Sequence, residues 1–149
     1  MNKALLDTDI YSEVLKAINP TVAQNAATYR QTHGVLTLSV ITMLEIVKGC
    51  QQAQATGRMQ RFLNAVAREQ VLSLEAPAAE LAGRIAGDLD RTGQTIGMAD
   101  PIIAAIALEH NLELVTGNAA HFQRIVRLGY PLTRSSRPIS DVSRTPVSS

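Results

Sequence analysis

Val35-Leu36-Thr37-Leu38-Ser39-Val40-Ile41-Thr42-Met43-Leu44-Glu45-Ile46-Val47-Lys48-Gly49 is the stretch on which the fold turns. Its first four residues form a short apolar run and read as a strand. Ser39 stands where a helix wants its N-cap, since a serine hydroxyl accepts a backbone N–H that the first turn leaves unpaired. Apolar side chains then continue at helical spacing to about Lys48, and Gly49 reads as the stop. A strand that passes through one capping residue into a helix is the repeating unit of a parallel α/β protein.

The same unit recurs on both sides. Upstream, Ala4-Leu5-Leu6 is an apolar run ending at Asp7, Thr8 and Asp9, a buried strand entering a turn. Helices follow over about 10–18 and 21–32, interrupted at Asn19-Pro20. Downstream, 57–69 carries a helical apolar stripe with Arg58, Arg61 and Arg68 close to one face. Val71 to Leu74 reads as a third strand, then a long helix runs from Pro77 to Arg91 and Gly93 ends it. Another helix spans about 99–110. Leu112 to Thr116 reads as a strand that turns out at Gly117-Asn118, followed by a short helix over 119–126. Tyr130-Pro131-Leu132 reads as a last edge strand. Strands that alternate with helices predict a mostly parallel sheet covered on both faces. Right-handed crossovers would put the strand carboxyl ends on one edge, where sites in such folds lie.

Composition narrows the function. The 149 residues suit one domain, taken as 1–133, while Ser-, Arg-, Pro- and Thr-rich residues 134–149 read as a flexible tail. Aromatics are 3% with no Trp, which argues against modules that stack bases on aromatic platforms. The net charge of +1 advertises no polyanionic partner by itself. Setting Asp7, Glu45 and Asp100 aside leaves 10 acidic against 14 basic residues, a mildly basic remainder that permits nucleic acid. The single cysteine, Cys50, forms no intrachain disulfide and reads as a buried thiol. No segment reads as a signal peptide or membrane span, so a cytoplasmic protein is expected.

The acids are where chemistry would sit. Asp7 ends the first strand, and a carboxylate there loses hydration and needs a cation or several donors in return. Asp9, two residues on, reads as a helix N-cap. Glu45 lies among apolar neighbours and reads either as a partner of Lys48 one turn later or as an inward-facing acid. Asp100 precedes Pro101, the pattern of an N-cap with proline at the first helical position, and in that place it can still offer an oxygen to a metal. In a parallel sheet the three would be expected to converge on one edge. Hard cations such as Mg²⁺ and Mn²⁺ take such oxygen ligands, and no His/Cys cluster offers zinc instead.

Leu5 to Asp9, Ser39 to Gly49, Ile96 to Ala105 and Leu114 to Phe122, in this order and spacing, closely resemble the motifs of the PIN-domain family. They closely resemble the VapC toxins of bacterial toxin–antitoxin pairs. The resemblance spans about residues 1–132 and implies a three-layer α/β/α sandwich and a Mg²⁺- or Mn²⁺-dependent endoribonuclease. Asp7, Glu45 and Asp100 match the family's first three acids, with Asp7 and Asp100 expected to hold the metal. The family's fourth acidic position is variable and Asn118 stands there, which puts a second tightly bound metal in doubt. Also implied are homodimers, a VapB-like antitoxin and an RNA substrate, with tRNA the family-based expectation. Bound metal would polarise a phosphoryl oxygen and activate water for in-line attack at phosphorus. Thr8 and Thr116 read either as orienting groups for that site or as polar strand ends. Arg58, Arg61 and Arg68 read either as phosphate contacts or as a solvated helix face.

Two other readings compete. Asp7-Thr8-Asp9 also resembles the nucleophile and acid of haloacid-dehalogenase-type phosphatases, though Tyr11 departs from the Thr or Val usual there. A PIN-like protein that binds RNA or a partner without cutting is the other.

Overall fold

A computed structural model describes residues 2–133; the proposed tail, 134–149, lies outside the described residues. In chain order the elements are β1 (Ala4–Leu6), α1 (Thr8–Lys16), α2 (Pro20–His33), β2 (Thr37–Ser39), α3 (Val40–Gln52) and α4 (Thr56–Val66). They continue as β3 (Gln70–Leu72), α5 (Ala76–Arg91), α6 (Ala99–Glu109), β4 (Glu113–Val115) and α7 (Ala119–Arg127).

Both strand ladders are parallel. In one, β1 pairs with β4, with Leu5 opposite Leu114 and Leu6 opposite Val115. In the other, β2 pairs with β3, with Leu38 opposite Val71. Strand β1 also lies next to β2, so the four short strands form one central layer.

Alternation along β1 explains why helices cover both sides. Successive side chains on a strand point to opposite faces. Leu5 and Leu114 enter a core with Ile85 and Leu89 of α5, Ile103 and Ile106 of α6, and Phe122 and Ile125 of α7. Ala4, Leu6 and Val115 enter a second core with Tyr11 of α1, Tyr29 of α2, Leu38 of β2 and Phe62 of α4. Ala4, Leu5 and Leu6 have no exposed surface. Two separate cores on either face of one strand layer make the α/β/α sandwich expected from the sequence.

The second core has a polar clamp. Arg30 holds Glu69 with two bonds of 2.6 and 2.8 Å. Glu69 also accepts from the Leu36 backbone N–H at 3.3 Å and the Tyr11 hydroxyl at 3.4 Å. Its side chain is only 1% exposed, so this pairing answers the cost of burying a charge.

Several boundaries follow the predicted chemistry. Ser39 caps α3 by accepting from Thr42 N at 3.3 Å. Asn19 caps α2, with Pro20 in its first turn. Gly93, at φ +69°, follows α5. Two expectations fail. Gly49 does not stop α3, which runs on to Gln52. An interior glycine costs a helix only about 1 kcal/mol, and burial of the neighbouring Cys50 offsets it. Tyr130 to Leu132 is not a strand. Proline lacks an N–H for a ladder, and among the described residues there Thr133 O reaches across, accepting from Leu114 N at 2.8 Å.

Candidate active site

Asp7 follows the last residue of β1 and keeps that strand's burial, being 5% exposed. It also caps α1, one carboxylate oxygen accepting from Thr8 N at 2.8 Å. The other accepts from the Thr116 hydroxyl at 2.7 Å. Thr116 stands just past β4, the strand paired to β1, so parallel pairing brings together residues 109 apart in the chain. The Thr116 oxygen accepts in turn from Asn118 N at 2.9 Å.

Burial pushes the Asp7 carboxyl up to about 6, and the negative charges of Asp9 and Asp100 push in the same direction. The bonds from Thr116 and Thr8 oppose the rise without cancelling it. A carboxylate thus sits where its own anion is disfavoured, beside two further acids.

Glu45 points from α3 toward the same edge. It accepts from the Thr8 hydroxyl at 2.6 Å, and the hydroxyls of Thr8 and buried Thr42 lie 3.1 Å apart. The Glu45–Lys48 ion pair is not formed. Thr8 therefore bridges two of the three predicted acids, its backbone N–H on Asp7 and its hydroxyl near Glu45.

Asp100 is not the N-cap of α6. Met98 holds that place, with no side-chain cap bond, and Asp100 lies in the first turn. Its carboxylate, 16% exposed, meets His121 Nδ1 at 2.7 Å instead. The positive end of the helix dipole favours an acid there in either case. Asp9 is likewise no N-cap, because Asp7 takes that role. Asp9 accepts from Ile10 N and, across the mouth of the site, from Gly117 N, each at 2.9 Å.

Asn118 joins through its backbone, and its side-chain amide makes no hydrogen bond with another described residue. His121 was not singled out in the sequence. Its only signal there is a place in the first turn of the helix after the late strand, on the edge where the acids gather. Arg58 and Arg61 on α4, and Arg68 just beyond it, are exposed and make no ion pair with another described residue. Alongside Glu45, a groove between α3 and α6 is lined by Ile41, Leu44, Lys48, Ala99 and Ile102.

Among the described residues no three His, Cys, Asp or Glu side chains form a group able to enclose a metal ion. The expected meeting of three acids around one ion is thus met only in part: the charges of Asp9 and Asp100 act on Asp7, while Glu45 is linked to it through Thr8. The donors around Asp7 are carboxylate and hydroxyl oxygens, and a strained buried anion is what a hard cation relieves.

Comparison with known proteins gives one answer at every level. The family model described as PIN domain matches residues 4–128. The tRNA(fMet)-specific endonuclease VapC of Shigella flexneri is 30% identical over 126 residues, 84% of this chain and 93% of that protein. Ribonuclease VapC2 of Haemophilus influenzae is 30% identical over 132 residues, covering 86% and 96%. Among solved structures, DNA-bound VapBC from Salmonella typhimurium superposes with a TM-score of 0.73 at 27% identity, covering 90% of this chain and 96% of that one. VapBC2 of Rickettsia felis, bound to a promoter DNA fragment, shares the fold with a TM-score of 0.73 at 21% identity. It covers 89% of this chain and 96% of its own.

Proposed function

This chain belongs to the PIN-domain family, and from that premise we propose that it is a metal-dependent endoribonuclease, the toxin of a VapBC-type toxin–antitoxin pair. The observation that carries the reading is the buried Asp7 carboxylate, raised to about 6 and flanked by acids. Family membership sets aside the phosphatase reading of Asp7-Thr8-Asp9.

Asp7 and Asp100 would hold Mg²⁺ or Mn²⁺. When bound, the ion supplies Lewis-acid polarisation of a phosphoryl oxygen and makes water a better nucleophile. Thr116 and Thr8 hold the Asp7 oxygens in place, so its geometry is set before substrate arrives. Glu45, fixed by Thr8, orients the attacking water in line with phosphorus. His121 holds the Asp100 carboxylate. Asn118 brings no fourth charge, so one tightly bound metal is the expected count. Cleavage breaks the phosphodiester to leave a 5′-phosphate and a 3′-hydroxyl.

The groove beside Glu45 offers Lys48 for a phosphate and Leu44, 58% exposed, for an apolar contact. Both an RNA strand and the tail of a VapB-like antitoxin fit that character. Arg58, Arg61 and Arg68 extend a basic surface for RNA, with tRNA the substrate suggested by the name of the Shigella relative. A homodimer and a cytoplasmic location belong to this proposal on the strength of the family alone. Among the described residues no helix is long and apolar enough to cross a membrane.

Incubation of the purified protein with tRNA and Mg²⁺, beside Asp7→Ala, tests this reading. Cleavage by the wild type that vanishes in Asp7→Ala supports it. Cleavage that survives the substitution overturns it, and RNA binding without cleavage identifies a non-cutting relative.

A further inference from the structure

Asp9 stands outside the trio of acids, yet it makes one of the longest-range side-chain contacts in the molecule. Its carboxylate accepts from Gly117 N at 2.9 Å across 108 residues of sequence. Gly117 lies between Thr116, which bonds Asp7, and Asn118, whose N–H bonds Thr116. The bond therefore joins the first turn of α1 to the turn after β4 at the site's mouth. A Cβ built at 117 would collide with the Asp9 Oδ2 atom as long as the bond is made. The conflict is with the end of a side chain, so a larger residue at 117 would push the carboxylate away and leave the backbone in place. Both Asp9 and Gly117 are exposed, so neither is needed for the core.

We propose that Asp9 is a positioning residue of this nuclease, stapling the two turns so that Thr116 stays on Asp7, with glycine at 117 as the steric condition for the staple. The inference rests on the nuclease reading above. The Asp9 charge is also felt at Asp7, but the staple needs only an acceptor oxygen. That separates a positioning role from a charge role.

Asp9→Ala, Asp9→Asn, Gly117→Ala and the double variant Asp9→Ala/Gly117→Ala are compared for kcat and KM on RNA, with melting as a control on folding. Loss of an outer contact to a metal-site ligand typically costs about 10- to 100-fold. Asp9→Ala and Gly117→Ala should each lower kcat about tenfold, with KM within about twofold. The double variant should be no worse than Asp9→Ala, because two changes that break one contact do not add. Asp9→Asn, which keeps an acceptor for Gly117 N–H, should stay within about threefold of wild type. Melting temperatures should move little, since surface changes are usually worth under about 0.5 kcal/mol. Wild-type kcat in Gly117→Ala, additive losses in the double variant, or an Asp9→Asn as poor as Asp9→Ala would each overturn the proposal. Absence of cleavage by the wild type would instead overturn the nuclease reading, and the staple would then be read from hydrogen exchange of the Gly117 amide, protected in the wild type and Asp9→Asn but not in Asp9→Ala. An unprotected Gly117 amide in the wild type would overturn it.

Discussion

The Thr116 hydroxyl donates to Asp7 Oδ2 at 2.7 Å, joining the residue after β4 to the residue after β1. The bond steadies an anion that its own burial disfavours. Thr116→Val keeps the side-chain shape and removes the donor. It should lower cleavage about 10- to 100-fold, whereas Thr116→Ser should keep most of it. Single-turnover rates at saturating Mg²⁺ check this, and equal rates for Val and Ser would contradict it.

Asp7 also sets a pH dependence in the metal-free protein. An unfolded aspartate titrates near 3.8, but the folded one is raised to about 6. Between those values the folded state binds the extra proton, so its stability falls as pH rises through that window. Asp7→Asn removes the ionising group. Without metal at pH 7.5 it should be more stable than wild type by about 1–3 kcal/mol, while being inactive. Urea unfolding at pH 4 and pH 7.5 tests this: the advantage should vanish at pH 4.

Thr8 links Asp7 and Glu45 through its backbone and its hydroxyl. Thr8→Ala leaves the backbone bond to Asp7 and frees Glu45. Cleavage should fall about tenfold or more, with unchanged Mg²⁺ affinity by calorimetry. A loss confined to Mg²⁺ affinity would reassign Glu45 from water to metal.

Glu69→Gln tests the clamp of the second core. It leaves Arg30 facing an uncharged partner in a pocket where Glu69 is 1% exposed. Removing one member of a buried pair costs about 3–5 kcal/mol, and because Arg30 is 39% exposed the expected loss is nearer 2–3. Denaturant midpoints measure it, with cleavage per folded molecule unchanged.

How much of this was legible beforehand depends on range along the chain. Ser39 and the strand before it announce β2 and α3, because a cap and a period are local signals. Asp7 could be found because it interrupts an apolar run that must be buried. The N-cap readings of Asp9 and Asp100 failed because each helix starts earlier than the local pattern suggests, with Asp7 and Met98 at the caps. Their side chains, left in the first turn, meet Gly117 and His121 from 108 and 21 positions away. Gly49 shows the reverse case, a local stop signal overridden by packing of Cys50. The bridge from Thr8 to Glu45 spans 37 residues and becomes visible only once α1 and α3 are packed side by side.

Binding of Mn²⁺ to the RNA-free protein, followed by calorimetry or by electron paramagnetic resonance, tests most directly whether these acids exist to hold a cation. One Mn²⁺ per chain should bind the wild type, Mg²⁺ should displace it, and Asp7→Asn and Asp100→Asn should each abolish or severely weaken binding. Undiminished Mn²⁺ binding by both variants would contradict the site described here.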